Sequence, residues 1–266
     1  MGRSYAASAD RHRRRLTQSR ASAAQRATPL NPGTPPPSEQ EAFSGDPMPA
    51  YHPLILAGVE LWLLAEKAIY WPARQALLVA DIHFGKAAAF RALGQPVPHG
   101  TTAGNIARLD SLLARYDCRE IIFLGDFLHA PESRAPLTMD TLERWREHQA
   151  HLRLLLIRGN HDRRAGDPPA ALGIDVVAEP LELDGLSLQH EPDPHPRLPV
   201  LAGHIHPAFR LHGRGRQALR LPCFCLENDE VLILPAFGDF TGGHLLAPDP
   251  ARRIFVVGDG GIWPLR

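Results

Sequence analysis

Three runs of four apolar residues constrain the fold of this chain more than anything else in it: Leu77-Leu78-Val79-Ala80, Ile121-Ile122-Phe123-Leu124 and Leu154-Leu155-Leu156-Ile157. Runs this short with no polar alternation read as buried strands. Between the first two, residues 99 to 116 carry Ile106, Leu109, Leu112 and Leu113 at helical spacing. Between the second two, a helix is predicted around 138 to 151, with Leu142 and Trp145 on its apolar side. Strands joined through helices lie parallel in one sheet. Shorter runs at 54 to 57, 61 to 65 and 68 to 70 come before them. Later ones, Val176-Val177, Leu181–Leu183, Leu186–Leu188, Val200-Leu201, Phe224–Leu226, Val231–Leu234 and Ile254–Val257, largely lack helices between them. Asp184-Gly185 is a hairpin signal. The predicted class is α/β, a four-layer αββα sandwich of two mixed β-sheets packed face to face and flanked by helices.

Length and composition fit one such unit. With 266 residues, 44% hydrophobic, the chain can bury one substantial core. No apolar run approaches the roughly 18 to 20 residues that span a bilayer, so a soluble protein is expected. Three cysteines, Cys118, Cys223 and Cys225, are too few and too irregular for a disulfide framework or a zinc finger, and they point to a reduced, cytoplasmic setting. Cys223 and Cys225, two apart in an apolar strand, share a face and read as core. Basic and acidic residues balance at 29 each, which argues against a protein that coats nucleic acid through its overall charge. Residues 1–47 combine scattered arginines with Pro32, Pro35, Pro36 and Pro37 and almost no large apolar residues. Such a segment cannot build a core. It reads as a disordered extension, or as sequence translated from a start codon upstream of the true one, since Met48 opens the ordered-looking region 48–266.

Polar clusters follow the apolar strands: Asp81-Ile82-His83, Gly125-Asp126, Gly159-Asn160-His161-Asp162, His190, and Gly203-His204-Ile205-His206. In α/β sheets the carboxyl ends of strands open into a crevice where side chains from distant positions converge. Carboxylate oxygen mixed with imidazole nitrogen suits Mn, Fe or Zn better than Ca or Mg, and the lack of thiolates argues against a structural zinc site. A carboxylate such as Asp126 can bridge two ions. Each signal is weak alone, but the ordered set is strong.

Taken together, these residues resemble the signature of calcineurin-like metallophosphoesterases, over residues from about 54 to 257. Within that superfamily, Ala80-Asp81-Ile82-His83-Phe84-Gly85-Lys86, Gly203-His204-Ile205-His206-Pro207 and Leu234-Pro235-Ala236-Phe237-Gly238 resemble the ligase-associated DNA damage response endonuclease family of bacteria. The resemblance implies that Asp81, His83, Asp126 and His206 hold a first metal, and Asp126, Asn160, His190 and His204 a second. Two divalent ions, Mn first, would activate a water for attack on phosphorus. His161, next to Asn160, is the general-acid candidate, with Asp162 placed to orient or charge its imidazole. After Asp126 the chain reads Phe127-Leu128-His129-Ala130 and lacks the Asp-Arg pair common in the superfamily. His129, Arg91, Lys86 and Arg163 are the substitutes considered for clamping phosphate. His195 competes with His190, which is better placed because it ends an apolar strand.

The expected function is a metal-dependent phosphodiesterase, a DNA endonuclease or single-strand nuclease in repair. The resemblance implies a DNA ligase and a helicase as pathway partners. Arg210, Arg214, Arg216 and Arg220 recur along one stretch and can form a phosphate-tracking rim. A phosphomonoesterase or nucleotide phosphohydrolase on the same core is the alternative, followed by a non-catalytic metal-binding scaffold.

Overall fold

The computed structural model describes residues 51–265 apart from 96, 98, 99 and 214–216. The segment 1–47, together with Arg214 and Arg216, lies outside the described residues. Among the described residues no helix is long and apolar enough to cross a membrane.

The first sheet has seven strands in sequence order. β1 (Tyr51–Leu56), β2 (Val59–Leu64), β3 (Ile69–Trp71) and β4 (Ala76–Val79) form an antiparallel meander; β5 (Glu120–Leu124), β6 (Arg153–Ile157) and β7 (Ile174–Val177) then add in parallel. The crossovers carry α1 (Lys86–Ala92), α2 (Thr101–Arg115), α3 (Pro136–His148) and α4 (Asn160–Ala165). α3 opens on Pro136, whose fixed φ suits a first helical turn. The crossover into β7 departs from the sequence expectation. It passes through a six-residue helix too short to show an apolar period, so Val176-Val177 gave no sign of being a parallel strand.

The second sheet contains β8 (Leu181–Leu183), β9 (Leu186–Leu188), β10 (Val200–Ala202), β11 (Pro207–His212), β12 (Ala218–Glu227), β13 (Val231–Ile233), β14 (His244–Leu245), β15 (Arg252–Gly258) and β16 (Gly261–Leu265). It is mixed: β10 runs parallel to both β9 and β13, while β12 is antiparallel to β11, β13 and β15. Asp184 and Gly185 join β8 to β9 with both φ angles positive, the conformation a two-residue hairpin needs.

The alternation of strand side chains divides the interior. In β5, Ile122 and Leu124 face the second sheet and pack with Leu188, Leu201, Phe224 and Leu234, whereas Ile121 and Phe123 face Leu109, Leu112, Leu142 and Trp145 of the helices. Each fully buried Leu, Ile or Phe contributes about 1.5–3 kcal/mol relative to exposure, so both faces of this strand hold the fold. The two face-to-face mixed sheets with their few helices match the α/β sandwich expected from sequence. Among the described residues all α-helices precede β7, and the outer face of the second sheet is an apolar cluster of Val200, Ala202, Cys223, Cys225, Val231, Ile233 and Val256. The described links between its strands are hairpins or loops without an α-helix. Cys223 and Cys225 are core, as their spacing implied, and burial pushes the Cys223 thiol up to about 12.

Candidate metal centre

The loops that follow β4 and β5 run on side by side past the end of the sheet. His83 N–H donates to Asp126 O at 2.9 Å and Phe84 N–H to Phe127 O at 2.8 Å, which brings Asp81, His83 and Asp126 together. The second sheet delivers His190 after β9, and His204 and His206 after β10. A return segment after β13 ties the two sheets: Phe237 N–H donates to Ala80 O at 2.9 Å and Gly238 N–H to Asp81 O at 3.1 Å. The Leu234–Gly238 motif is therefore a strap across the first loop.

Asp81, His83, Asp126, His204 and His206 all have φ between 49° and 73°, the left-handed region that a non-glycine residue occupies at a cost of about 1–3 kcal/mol. Such strain concentrated on neighbouring polar residues is a mark of function. Two glycines make the crowding possible. Gly125 has φ +80°, and a Cβ there would collide with the His190 ring; a Cβ at Gly203 would lie 2.6 Å from Asp81 Oδ2. The Gly-Asp and Gly-His pairs in the sequence thus record where one polar side chain passes over another's backbone.

The donor atoms fall into two foci. In one, His206 Nε2 lies 3.4 Å from both Asp81 Oδ1 and His83 Nε2, and His83 Nε2 lies 3.7 Å from Asp126 Oδ2. In the other, His190 Nε2 lies 2.9 Å from Asn160 Oδ1, 3.0 Å from His204 Nδ1 and 3.5 Å from Asp126 Oδ1. Asp126 belongs to both, one oxygen to each. Backbone carbonyls fix the rings: His190 Nδ1–H donates to Leu124 O at 3.0 Å and His206 Nδ1–H to Thr241 O at 2.9 Å, so the assigned tautomers turn bare Nε2 lone pairs inward. Glu179 Oε2 accepts the backbone N–H of His190 at 2.7 Å and of Glu191 at 3.0 Å.

Charge in this buried space is poorly balanced by the protein alone. Burial raises the Asp126 carboxyl to about 6, against the pull of His190, with Asp81 adding to the rise. Burial also acts to raise Asp81, but the neighbouring imidazoles of His206 and His190 and the His204 N–H bring it below the usual carboxylate range. Asp81 Oδ2 accepts the His204 N–H at 2.9 Å. Its Oδ1 is nonetheless buried with no hydrogen-bond partner. Burial lowers His83 well below its ordinary value and His204 to about 4, which keeps both as neutral lone-pair donors. An unpartnered buried carboxylate oxygen facing inward-turned imidazole lone pairs is a donor set short of cations, and mixed O and N donors fit divalent transition ions. The residues present therefore fit a metal.

Of the residues singled out in the sequence, Asp81, His83, Asp126, Asn160, His190, His204 and His206 are all brought together. His161 stands at their edge, with its Nδ1 2.6 Å from His129 O and Nε2 3.9 Å from Asp126 Oδ2. Asp162 corrects the sequence reading. Its carboxylate accepts the N–H groups of Gly159 at 2.9 Å and Leu128 at 3.1 Å, so it fixes the loops, and His161 is oriented by the His129 carbonyl instead. The short α4 turns Asp162 back onto its own first turn. His195 lies away from the centre, where its Nδ1 accepts Leu198 N–H and its Nε2 faces Glu182. Arg163 pairs with Glu179 at 2.8 Å. His129 stacks on His161 with ring centroids 4.8 Å apart and meets His83 at 3.3 Å, while Lys86 is buried near His83 in a small cleft shared with Phe90 and Asn105. Sequence reasoning missed Glu179 and the carbonyls of Leu124 and Thr241. A backbone acceptor has no residue-type signature, and a lone Glu before Pro180 carries none either.

The sequence model of a family described as calcineurin-like phosphoesterase matches residues 75–215. Among solved structures, the crystal structure of Pseudomonas putida nuclease MPE is similar at 55% identity with a TM-score of 0.72, covering 81% of this chain and 100% of that one. An Aquifex aeolicus protein of unknown function is similar at 17% identity over 53% of this chain and 82% of that one, with a TM-score of 0.34. No curated protein matches the chain.

Proposed function

This chain belongs to the calcineurin-like phosphoesterase family and is a metal-dependent phosphoesterase, and from that premise we propose that it is a nuclease hydrolysing DNA phosphodiester bonds with two divalent ions. The observation that carries the reading is the division of the donor atoms into two foci that share Asp126. The name of the Pseudomonas putida relative, a nuclease, supports the diester substrate.

Asp81, His83, Asp126 and His206 would hold one ion, and Asp126, Asn160, His190 and His204 the other, with Mn favoured by the mixed oxygen and imidazole donors. When bound, two such cations supply the positive charge that acidifies water and offsets charge gathering on the phosphoryl oxygens. The rest falls to the protein. The carbonyls of Leu124 and Thr241 hold His190 and His206 in the tautomer that offers Nε2. His161, about a quarter exposed at its side chain, offers Nε2–H to the departing alkoxide oxygen while Nδ1–H stays on His129 O. Lys86, over the ring of Phe90 and buried beside His83, brings a cation to the place where the superfamily's Asp-Arg pair is missing, and we assign it the phosphoryl contact.

The repair role, and a DNA ligase and helicase as partners, rest on the resemblance of Ala80–Lys86, Gly203–Pro207 and Leu234–Gly238 to the ligase-associated endonucleases; co-purification with those enzymes tests them. The catalytic unit is proposed as 48–266, so removal of 1–47 should preserve turnover. The main experiment is Mn-dependent hydrolysis of bis-p-nitrophenyl phosphate, p-nitrophenyl phosphate and single-stranded DNA. The diester and DNA should be cleaved. A strong preference for the monoester would replace this reading with a phosphatase. His161→Ala should slow DNA cleavage about 10²–10⁴-fold, and a p-nitrophenolate leaving group far less, because only the alkoxide needs a proton.

A further inference from the structure

Beside the first focus lies a cleft of about 390 Å³, lined by Lys67, His206, Arg220, Asp239 and Phe240 among others. Phe240 also lines the small cleft on the other side, which contains His83 and Lys86. It therefore stands between two clefts that each touch a residue of the same focus. The residue is 54% exposed and its backbone has φ +57°, an uncommon conformation for an aromatic residue. The loop that carries it is tied down on both sides. Arg108 Nη2 donates to Asp239 Oδ1 at 2.7 Å, Thr241 Oγ1 donates to Gly238 O at 3.1 Å, His206 Nδ1–H donates to Thr241 O, and Arg220 donates to Gly243 O. A large apolar ring held out to solvent on an anchored loop has no part in the core.

The floor of the larger cleft continues onto the β11–β12 ribbon. Ala208 and Pro222, paired across the ribbon, line the cleft; two residues further out on the same face, Arg210 is paired directly with Arg220. Like charges directly opposite each other destabilise an antiparallel pair. The next pair on this face is His212 with Ala218, so among the described residues these two paired strands place no carboxylate on this face beside them. The acidic Asp239 at the cleft is engaged by Arg108.

We propose that this surface is the track of a single DNA strand leaving the metal centre, with a nucleobase stacked on Phe240 and successive phosphates on Arg220 and Arg210. The inference rests on the nuclease reading above and deepens it. Exposed aromatic faces accept any base, and cations in a line follow a backbone, so the track favours single strands with little sequence preference. Lys67, whose ammonium donates to Phe237 O at 2.8 Å, adds charge at the cleft wall.

The test is binding of a fluorescent oligothymidylate to the full chain across a range of salt, in Ca²⁺ to slow cleavage, beside bis-p-nitrophenyl phosphate hydrolysis by wild type in Mn²⁺. Phe240→Ala should weaken binding about tenfold, and Phe240→Trp should restore it and give indole fluorescence quenched by the oligonucleotide. Arg210→Glu and Arg220→Glu should each weaken binding and reduce the slope of log K against log salt by about 0.7 or more. Wild type that binds and cleaves DNA while these variants match it in affinity and slope overturns the track and leaves the nuclease standing. Wild type that hydrolyses the small diester but neither binds nor cleaves DNA overturns the nuclease reading itself.

Discussion

The two sheets contribute differently to the centre. From the first come the oxygens, Asp81, Asp126 and Asn160, together with His83, on loops that extend three neighbouring strands. From the second come only imidazoles, His190, His204 and His206. The first-sheet carboxylates are anchored by backbone N–H groups, His204 N–H on Asp81 and His161 N–H on Asp126, whereas the second-sheet rings are aimed by carbonyls and by Glu179. The difference teaches that neither sheet carries a complete site. One supplies the carboxylates and the other only imidazoles, and each depends on the other sheet or its strap for orientation.

Removing the shared oxygen should break this division most completely. Asp126→Asn is expected to lower Mn-dependent diester hydrolysis by a thousandfold or more, roughly, since both attacking and departing oxygens lose support. Metal analysis of the same variant should find fewer than two ions per chain. Substitutions on the imidazole side should separate the foci. His206→Ala and His190→Ala are each expected to reduce turnover about a hundredfold and to remove one ion, the first focus emptying in His206→Ala and the second in His190→Ala while the other focus stays filled.

A smaller effect is expected one step further out. Glu179→Gln keeps the size of the side chain but weakens its grip on the His190 backbone, and metal affinity should fall about tenfold, the low end of what outer partners contribute. Asp162→Asn should act similarly through Gly159 and Leu128, with lowered thermal stability as its companion sign. Metal removal probes the join between the sheets. Each ion held at a hundred times its Kd stabilises by about 2.7 kcal/mol, so stripping both with a chelator should lower Tm by about 10–20 °C in a chain this size.

The smallest effect concerns Lys67, whose reach from the first sheet to Phe237 O stitches the strap down. Burial lowers its ammonium to about 8, with Arg108 adding to the fall and Asp239 opposing it. The unfolded chain then holds this proton up to about 10.5 while the folded chain has lost it above about 8, so stability contributed by this group rises between those values. Denaturant titrations between pH 8 and 10 should show a rise of about 1–2 kcal/mol that Lys67→Met abolishes.

How much of this was legible in the sequence follows the same line between the sheets. The first sheet announced itself through Leu77–Ala80, Ile121–Leu124 and Leu154–Ile157, whose helical crossovers have a period, and its donors follow those runs at once. The second sheet gave short strands and a hairpin signal but not its pairing order, because β10 enters between β9 and β13 with no crossover motif to mark it. The residues that converge at the centre were all readable from order and type. What was not readable is what aims them: a Thr241 carbonyl, a Leu124 carbonyl, and Asp162 turned toward backbone rather than toward His161. Those depend on where a loop passes in space, and side-chain chemistry does not encode that locally. Phe240 was hidden for a related reason, since an aromatic after Gly238-Asp239 reads as one more core residue until its exposure is known.

The measurement that tests the central claim most directly is Mn anomalous diffraction from crystals grown with the ion. Two peaks are expected about 3.5–4 Å apart on either side of Asp126, one among Asp81, His83 and His206 and the other among Asn160, His190 and His204, with His161 bound to neither. The rings of His83, His129 and His161 also come close enough to hold an ion. A single peak among those three, with His161 as a ligand, would contradict the shared bridge and remove the proton donor.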